Sequence, residues 1–486
     1  MNSIRFFAAL FVAKLAMLGL KITRHNGTQL PGVLAIKICP DFLGRIAHPE
    51  KILGVTGTNG KTTVVNLLND ALTTSGIRVL SNKMGSNLHT GVASALIMGT
   101  SIFNKSRYSV AVFELDERAT PRIFPYLAPD LLVVTNLFRD STKRNAHSGY
   151  IFWVIDQGLP ASTKLLLNAD DVVSSQLGEH NERRFFGIER MPSDVEHTHN
   201  IVNDGRTCPR CHLALTYEYM RYHHIGKAYC THCGWHSPEY DYAGTNVRVG
   251  KGVLDVRDLD GTLTTLKILN DGVHNIYNVV TAFAALREFG FTSQQASSAL
   301  AKISIVKSRF SQEKYGDVYV GNQLAKGLNG VASSRAFDYI SHLPGDKELI
   351  LMMSDLGDEA HYSENPTWLY DADFEYLANP SITHIVVTGP RGKDYRLRLL
   401  LAGVPDERIT WVKREIDAPE QLHFVPGEHV FVLHEVDSPV LAGKVLAKTQ
   451  ELAKQKAAER ASTPAPDSQG ITYGASSPST AERNNA

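Results

Sequence analysis

The chain has 486 residues, and its 50 Lys and Arg residues balance its 50 Asp and Glu residues, so the formal net charge is zero. This balance provides no overall attraction for a polyanion, and we expect no nucleic-acid partner. The length predicts two or three domains, and a hydrophobic fraction of 43% is sufficient for their cores.

The N-terminal segment, residues 1–47, begins with an apolar stretch that is interrupted by Arg5, Lys14 and Lys21. It contains no uncharged run of the roughly 18 apolar residues expected of a membrane span, and no small-residue cleavage motif marks a signal peptide. The pattern favours an amphipathic helix that packs on the protein. A helix on the inner face of the membrane is the alternative, so we expect a cytoplasmic protein and leave open its association with the cytoplasmic side of the membrane.

Residues 48–311 alternate short apolar strands with helices. Strands are predicted at KILGV, IRVL, YSVAVFEL, PDLLVVTNL and TKLLLN, and helices at KTTVVNLLNDALTTSG and NIYNVVTAFAALREFG. This alternation predicts a parallel sheet with helices on both faces. A polar break near Glu189 leads into an insertion, at about 200–240, that contains four of the five cysteines.

The stretch T-G-T-N-G-K-T-T, residues 56–63, lies between the first strand and the first helix of this domain. Unpaired N–H groups and the helix dipole favour an anion at such a helix N-terminus, and the glycines allow close backbone approach. Lys61 is expected to lie exposed in the empty loop and to reach the β- and γ-phosphates, and Thr62 is a candidate Mg²⁺ ligand. The predicted ATP-binding residues of the loop are Gly57, Thr58, Asn59, Gly60, Lys61, Thr62 and Thr63.

Two Cys-x-x-Cys pairs, Cys208 with Cys211 and Cys230 with Cys233, have the spacing of a zinc ribbon. Four thiolates close a tetrahedral shell without room for water, so the predicted zinc site is structural. Because such a site does no chemistry, we expect ATP binding to survive partial loss of the ribbon. A redox-active cysteine pair is the alternative. His212 and His232 are adjacent alternatives as zinc ligands, although the four cysteines are sufficient.

Beyond KISIVKSRFSQEKYGD, which we interpret as a hinge, residues 312–455 are predicted to form a second, Rossmann-like α/β domain. Its strands are expected at ELILMMS, THIVVTG and HVFVLHE. Arg309, within the hinge, is either a phosphate-binding residue or a surface arginine. Residues 456–486 are rich in small polar residues and proline, and we expect a disordered tail.

The loop T-G-T-N-G-K-T-T, followed in order by SNKMGSNLHTG, VFELDE, LNADD and HNIYN, resembles the Mur ligase family. Members of this family use ATP to convert a carboxylate into an acyl phosphate, which an amine then attacks. The resemblance implies that Lys61 and Glu114 are catalytic and that Thr62 and Glu114 bind magnesium. It also implies that Asn275 and Asn278 lie near the adenine of ATP.

An inserted ribbon is characteristic of the MurT-type subunits of lipid II isoglutaminyl synthase, which the chain resembles from GTQLPGVLAIKICPDFLGRIA to TWLYDADFEYL. This likeness implies ATP-dependent amidation of the α-carboxyl of D-glutamate in the lipid II stem peptide to D-isoglutamine. It also implies a heterodimer with a GatD-type glutaminase that supplies ammonia. The implied cofactors are ATP, Mg²⁺ and Zn²⁺.

The chain departs from the family pattern at the segment that completes the glutaminase site. The family has Asp-x-Ser-Trp, whose aspartate completes a Cys-His triad in the partner; here Asn365 stands in that place and is the expected acceptor. The preceding SDLGDEAHYSE is longer than expected, so Asp355 and Asp358 are alternatives. STKRNAHSG also replaces Gln-Leu-Asp-Arg-Tyr-Gly after NLFRD. Two other functions therefore stay open: a stand-alone Mur-type amino-acid ligase and a divergent, non-catalytic ATP-binding paralogue.

Overall fold

The computed structural model describes residues 2–23, 29–82, 86–140, 147–268, 272–303, 310–325, 329–353, 366–435 and 438–462. Three helices form the N-terminal segment: α1 Asn2–Thr23, α2 Leu30–Ile38 and α3 Phe42–Arg45. One face of α1 packs on the protein and buries Phe6, Leu10 and Ala13, as the sequence interpretation favoured.

The composition of α1 also meets the criteria for a membrane span, which the sequence interpretation did not recognise because it required an uncharged run. Ser3–Thr23 has a mean hydropathy of 1.8 and is long enough to cross a bilayer, but only 22% of the apolar window is buried. Buried core helices and signal sequences satisfy the same criteria. Composition alone therefore does not assign a membrane-spanning role to α1.

The central domain contains the following elements: β1 Lys51–Thr56, α4 Lys61–Thr74, β2 Val79–Ser81, α5 His89–Gly99, β3 Val110–Glu114, α6 Thr120–Ile123, β4 Leu131–Val134, α7 Ser148–Gly158, β5 Lys164–Asn168, β6 Arg183–Ile188, β7 Thr216–Tyr222, β8 Ile225–Tyr229, β9 Tyr242–Arg248, β10 Val253–Arg257, β11 Leu263–Lys267, α8 Val273–Phe289 and α9 Ser293–Ala301.

The central sheet has the strand order β11-β10-β9-β6-β5-β4-β1-β3-β2. The pairs from β9 to β2 are parallel, and β9, β10 and β11 pair antiparallel at one edge. One apolar core lies between the sheet and α4, α8 and α9, and a second lies under α1, α2, α5 and α7. The predicted parallel sheet with helices on both faces is confirmed; the antiparallel edge was not predicted.

The insertion occupies residues 189–241, between the parallel neighbours β6 and β9. Its hairpin, β7–β8, pairs antiparallel and forms a separate two-stranded sheet. The insertion also contacts the C-terminal domain, where Asp373 accepts hydrogen bonds from Asn200 Nδ2 at 2.9 Å and from the backbone N–H of Ile201 at 2.7 Å. It therefore joins the two α/β domains.

The C-terminal domain contains the following elements: β12 Phe310–Tyr315, β13 Val318–Leu324, α10 Gly330–His342, β14 Lys347–Met352, α11 Trp368–Asp371, β15 Ile382–Thr388, α12 Gly392–Leu401, β16 Ile409–Val412, β17 His429–His434 and α13 Pro439–Ser462.

The sheet of this domain has the order β12-β13-β17-β14-β15-β16, in which only the β12–β13 pair is antiparallel. The strands predicted at ELILMMS, THIVVTG and HVFVLHE are present as β14, β15 and β17. Helix α13 continues to Ser462, so residues 456–462, which had been assigned to a disordered tail, are helical. The strand β12 and the hairpin it forms begin two residues before the predicted boundary at 312.

Candidate functional site

The loop between β1 and α4 depends on two glycines in left-handed backbone conformations. Gly57 has φ +123° and Gly60 has φ +90°. A Cβ atom on Gly57 would lie 2.3 Å from Thr135 Oγ1, and one on Gly60 would lie 2.5 Å from Asn278 Oδ1. Only glycine satisfies both the conformation and the space. The loop thereby presents the N-terminus of α4 to the cavity in front of it.

Thr135 and Asn136, which directly follow β4, hold this loop in place through hydrogen bonds. The backbone N–H of Thr58 donates to Asn136 O at 2.8 Å, and that of Asn59 donates to Asn136 Oδ1 at 3.0 Å. Thr135 Oγ1 donates to Asn59 O at 2.6 Å. These roles of Thr135 and Asn136 were not predicted, because no pattern in the sequence indicates that NLFRD and its neighbours face the loop.

Lys61 is buried and paired, so the expectation that it lies exposed in the loop was wrong. Its Nζ lies 2.8 Å from Glu117 Oε1 and also donates to Gly57 O, and only 12% of its side chain is exposed. Burial favours the neutral amine, but the negative charges of Glu117, Glu114 and Asp116 outweigh it and raise the pKa of Lys61. Lys61 is therefore a charged cation at the place where phosphate is expected.

Glu114 ends β3 on the same side of the sheet. Its Oε1 accepts a hydrogen bond from Asn87 Nδ2 at 3.2 Å, and its backbone is held by Asn82, which donates to Glu114 O at 2.8 Å. Asn82 and Asn87 belong to the stretch SNKMGSNLHTG, of which residues 83–85 lie outside the described part of the chain. Carboxylate and hydroxyl oxygens are suitable Mg²⁺ ligands, and Glu114 shares the cavity with Thr62.

One cavity of about 450 Å³ brings the predicted residues together. The predicted site residues among those that line it are Thr58, Asn59, Gly60, Lys61, Thr62, Thr63, Glu114, Asn275 and Asn278. The C-terminal domain closes the opposite side with Gln323, Arg335 and Tyr339. The site therefore lies between two domains. The loop between β1 and α4, which is the predicted phosphate loop, forms one wall, and helix α10 forms the other.

Arg335 and Tyr222 are site residues that the sequence analysis missed. The guanidinium of Arg335 lies over the ring of Tyr222, 5.0 Å from its centroid, and both residues line the cavity. Burial lowers the pKa of Arg335. Within the described part of the chain its guanidinium forms no salt bridge. Neither residue belongs to a recognisable motif, so only the fold could identify them.

The β7–β8 hairpin places Tyr222 in the cavity by anchoring its tip beneath the phosphate loop. His224 Nε2 lies 3.0 Å from Asp171 Oδ1, and both side chains are fully buried. The other oxygen of Asp171 accepts the backbone N–H of Leu137 at 2.7 Å, next to Asn136. Asp171 of LNADD is thus a structural anchor, and the described cavity does not include it.

The four cysteines of the insertion form a compact cluster with unlinked thiols. Cys208 Sγ lies 3.6 Å from Cys233 Sγ, and Cys211 Sγ lies 3.5 Å from Cys230 Sγ. Each Cys-x-x-Cys sequence forms a tight turn, and the residue that follows its second cysteine has a left-handed backbone. These residues are His212, with φ +61°, and Gly234, with φ +72°. His212 therefore serves the turn in the same way as Gly234 does.

The remaining predicted site residues are Arg309, Asp355, Asp358 and Asn365, and they lie outside the described residues. The chain after them is described from Pro366. It forms α11 in the stretch TWLYD, where Asp371 Oδ1 lies 3.7 Å from Arg139 of the central domain.

The fold and site define a ligase of the Mur type, in which a phosphate-binding domain and a Rossmann-like domain enclose one cavity. The structure of a pseudomurein peptide ligase type C from Methanothermus fervidus matches with a TM-score of 0.63 at 18% identity, over 84% of this chain and 81% of that one. A MurF structure from Acinetobacter baumannii matches with a TM-score of 0.60 at 14% identity, over 86% and 80%. At these identities the matches establish the fold.

Sequence comparison identifies the family within this class. Residues 55–207 match the Mur ligase middle domain, and residues 326–435 match the MurT ligase C-terminal domain. The subunit MurT of the glutamine-hydrolysing lipid II isoglutaminyl synthase of Staphylococcus aureus (strain COL) is 32% identical over 404 residues, 82% of this chain and 89% of that protein. Its counterpart in Streptococcus pneumoniae (strain ATCC BAA-255 / R6) is 30% identical over 439 residues, 88% and 94%. The chain belongs to the MurT family of ligase subunits.

Proposed function

We propose that this chain is the ligase subunit of a lipid II isoglutaminyl synthase. It uses ATP to amidate the α-carboxyl of D-glutamate in the lipid II stem peptide, with ammonia from a glutaminase partner. The observation that carries the proposal is the cavity between the domains, in which Lys61, Glu114 and the asparagines of HNIYN converge in a chain of the MurT family.

ATP is needed because a carboxylate does not react with ammonia at neutral pH. In the first half of the reaction, an oxygen of the carboxylate attacks the γ-phosphorus of ATP, ADP leaves, and an acyl phosphate forms. In the second half, the nitrogen of ammonia bonds to the acyl carbon, the C–O bond to phosphate breaks, and the nitrogen loses a proton to solvent. The products are the carboxamide, ADP and phosphate.

The residues of the chain would bind and stabilise charge in this reaction. The charged Lys61 and the first N–H groups of α4 would stabilise the transferring phosphoryl group. Glu114 and Thr62 would hold Mg²⁺, which neutralises phosphate charge when bound. Asn275 and Asn278, on α8, would contact the adenosine part of ATP. Arg335 lines the cavity from the other domain and would bind the anionic portion of the acceptor substrate.

The decisive experiment is transfer of labelled nitrogen. The chain is combined with a GatD-type glutaminase, lipid II, ATP, Mg²⁺ and glutamine whose amide nitrogen carries a stable isotope. Mass spectrometry should detect the label in the carboxamide of the stem peptide, and omission of ATP or the Lys61→Ala change should abolish it. ATP consumption with a free amino acid instead of ammonia would favour the stand-alone ligase, and no turnover with any acceptor would favour the non-catalytic paralogue.

We further propose a structural zinc ion bound by Cys208, Cys211, Cys230 and Cys233. Zn–S bonds of about 2.3 Å in a tetrahedron place the sulfur atoms roughly 3.8 Å apart. Two of the sulfur separations in the cluster, 3.6 and 3.5 Å, are close to this value, and all four sulfur atoms lie within 4.8 Å of one another. A four-thiolate shell has no open position, so the ion would stabilise the fold of the insertion without taking part in the reaction.

The proposed partner is a GatD-type glutaminase in a heterodimer, located in the cytoplasm. The family likeness of TWLYDADFE supports the proposal that the preceding segment completes the partner's triad. Asn365→Ala should then reduce glutamine hydrolysis strongly, whereas Asn365→Asp should preserve it. If alanine at Asp355 or Asp358 is the damaging change, that aspartate is the acceptor. Glutaminase activity of the reconstituted pair that is unaffected by all three alanine changes would exclude this role.

A further inference from the structure

Helix α1 has two apolar faces, and the described part of the chain covers one of them. The covered face contains Phe6, Ala9, Leu10 and Ala13, all of which are buried in the second apolar core. On the opposite face, large hydrophobic side chains form a single continuous stripe along the helix. The members of this outer stripe are Ile4, Phe7, Phe11, Leu15, Leu18 and Ile22, and they are between 48% and 77% exposed.

The spacing of the outer stripe follows the helix. Its members are three or four residues apart, so they form one continuous ridge over five turns, roughly 27 Å long at 1.5 Å per residue. Leu30 and Val33 on the adjoining helix α2 are also exposed. Isolated exposed hydrophobic residues are ordinary on protein surfaces, but a continuous apolar ridge of this length indicates a contact surface.

The charges around the outer stripe indicate the kind of surface that it contacts. Residues 1–40 contain no Asp or Glu, although the whole chain is neutral. Arg5 and Lys14 flank the stripe and donate to backbone carbonyl groups of Ile38 and Ile97, while Lys21 and Lys37 are exposed. A second copy of this face would bring cations against cations, because Asp41, the first acid of the chain, is already paired with Arg45. Negatively charged lipid headgroups complement both features.

We propose that α1 lies in the headgroup region of an anionic phospholipid bilayer, with its outer stripe directed into the acyl chains. The covered face keeps α1 parallel to the protein surface, so the helix lies on the membrane instead of crossing it. The proposal does not depend on the ligase activity. If that activity is as proposed, membrane contact would bring the cavity near a lipid-linked substrate.

Flotation of the full chain with vesicles tests the proposal without ATP or lipid II. The chain should float with vesicles of phosphatidylcholine mixed with phosphatidylglycerol, and bind vesicles of phosphatidylcholine alone more weakly. Phe11→Gln together with Leu15→Gln should reduce the bound fraction by at least about tenfold, because two large apolar groups leave the bilayer. The matched control is Leu397→Gln with Leu401→Gln, two exposed leucines at the same spacing on α12, which should bind like the wild type.

Several results would overturn the proposal. Wild-type protein that stays unbound with anionic vesicles, or a stripe variant that floats as well as the wild type, excludes a lipid contact. Resistance to extraction from membranes by alkaline carbonate would show a spanning helix. A dimer that the Phe11→Gln and Leu15→Gln changes dissociate, in a chain that does not bind vesicles, would assign the stripe to a second copy. Unchanged thermal unfolding of both variants is the control for folding.

Discussion

Lys61 is held by an ion pair at the position where we propose that a phosphate binds. Its ammonium group is held at 2.8 Å by Glu117 in a buried environment, and the surrounding acids keep it charged. A bound phosphate would compete with Glu117 for the same cation. The ion pair therefore fixes the position of the lysine, and the proposed function would use the charge of this lysine to stabilise phosphoryl transfer.

The first prediction separates these two roles. Lys61→Ala should reduce ATP turnover with lipid II and the glutaminase by about a hundredfold or more, and it should also destabilise the protein by about 3–5 kcal/mol, because Glu117 is left as an unpaired buried charge. Combining Lys61→Ala with Glu117→Gln should restore most of the stability but none of the turnover. Thermal unfolding and steady-state phosphate release measure the two effects.

Two results would contradict this account. Wild-type turnover in the double variant would show that the phosphates bind elsewhere. A single Lys61→Ala variant as stable as the wild type would show that the ion pair with Glu117 contributes nothing to the fold.

Glu428 gives the stability of the C-terminal domain a dependence on pH. Burial and the facing carboxylate of Glu348, with Asp346 nearby, raise the pKa of Glu428 to about 8, from an ordinary value of 4.5. The folded state then retains a proton that the unfolded state has lost. The contribution of this proton to the free energy of unfolding is fully present below the ordinary pKa of Glu428, and it is lost as the pH rises through about 8. Burial opposes ionisation of Glu348, but its hydrogen bonds, the strongest of them with His384, lower its pKa from 4.5 to about 2. The stability that ionised Glu348 contributes is therefore fully present above pH 4.5.

The second prediction follows from this loss of stability with rising pH. Glu428→Gln should flatten the decline of the melting temperature between about pH 5 and about pH 9, because the amide cannot ionise. The variant should be more stable than the wild type at the alkaline end. Glu407→Gln, at an exposed position of the same domain, is the control and should leave the profile unchanged. Parallel profiles for the wild type and Glu428→Gln would contradict the shifted pKa.

At the level of residues, the sequence predicted those site residues that are consecutive in the chain. Thr58 to Thr63 could be predicted because the turn, the glycines and the lysine are consecutive and each has a local reason. Glu117, Asn136, Tyr222 and Arg335 could not, because they come from four other segments and meet only after the sheet and the insertion have formed. Burial of Lys61 was missed for the same reason.

The β7–β8 hairpin connects the cysteine cluster to the proposed nucleotide site. One end of the hairpin carries the cysteines, and the other end buries His224 against Asp171 and places Tyr222 in the cavity. The expectation that ATP binding is independent of the ribbon treated the cysteine cluster as an isolated unit. The hairpin gives a physical connection between them, because a buried, hydrogen-bonded tip cannot move without exposing its partners.

The third prediction concerns this connection. Cys208→Ser with Cys230→Ser should remove one zinc ion per chain and weaken ATP binding by about tenfold, because the hairpin tip loses its fixed position below the loop. Cys39→Ser, at the buried cysteine outside the cluster, should retain the metal and the affinity. Elemental analysis and ATP titration provide the two measurements. Unchanged zinc in the double variant would exclude the proposed site, and unchanged ATP affinity after zinc loss would exclude the connection through the hairpin.

At the level of elements, the hydrophobic pattern predicted the strands and helices whose burial is regular along their length. The strands of both parallel sheets read as apolar runs because they are buried on both faces, and α4 and α8 read as helices from their apolar spacing. The antiparallel edge formed by β9, β10 and β11 has mixed burial and was missed. A helix on the membrane face was left open as an alternative for α1, but the residues of its outer stripe were not identified, because an apolar pattern does not distinguish a packed face from an exposed one.

On the scale of the whole molecule, the insertion and the central domain both hold the C-terminal domain over the cavity. Asp373 accepts two hydrogen bonds from the insertion. Asn329 Nδ2, at the start of α10, donates to Asp140 Oδ1 of the central domain at 2.8 Å. These contacts set the position of α10, and with it the distance between Arg335 and the phosphate loop. The composite cavity could be expected from the order of the domains, but its C-terminal wall could not be assigned to residues.

The last prediction uses this division of the site between domains. The predicted ATP-binding residues that line the cavity belong to the central domain, whereas Arg335 enters from α10 and lies over Tyr222. Arg335→Ala should therefore lower kcat/KM for lipid II by about a hundredfold, since a cation that faces the acceptor is lost, while the Kd for ATP changes less than about twofold. Arg335→Lys should recover part of the loss, because it restores the charge without the planar guanidinium. Arg414→Ala, at an exposed arginine of the same domain, is the matched control and should behave like the wild type. Equal loss of ATP affinity and lipid II turnover in Arg335→Ala would instead place this arginine on the nucleotide.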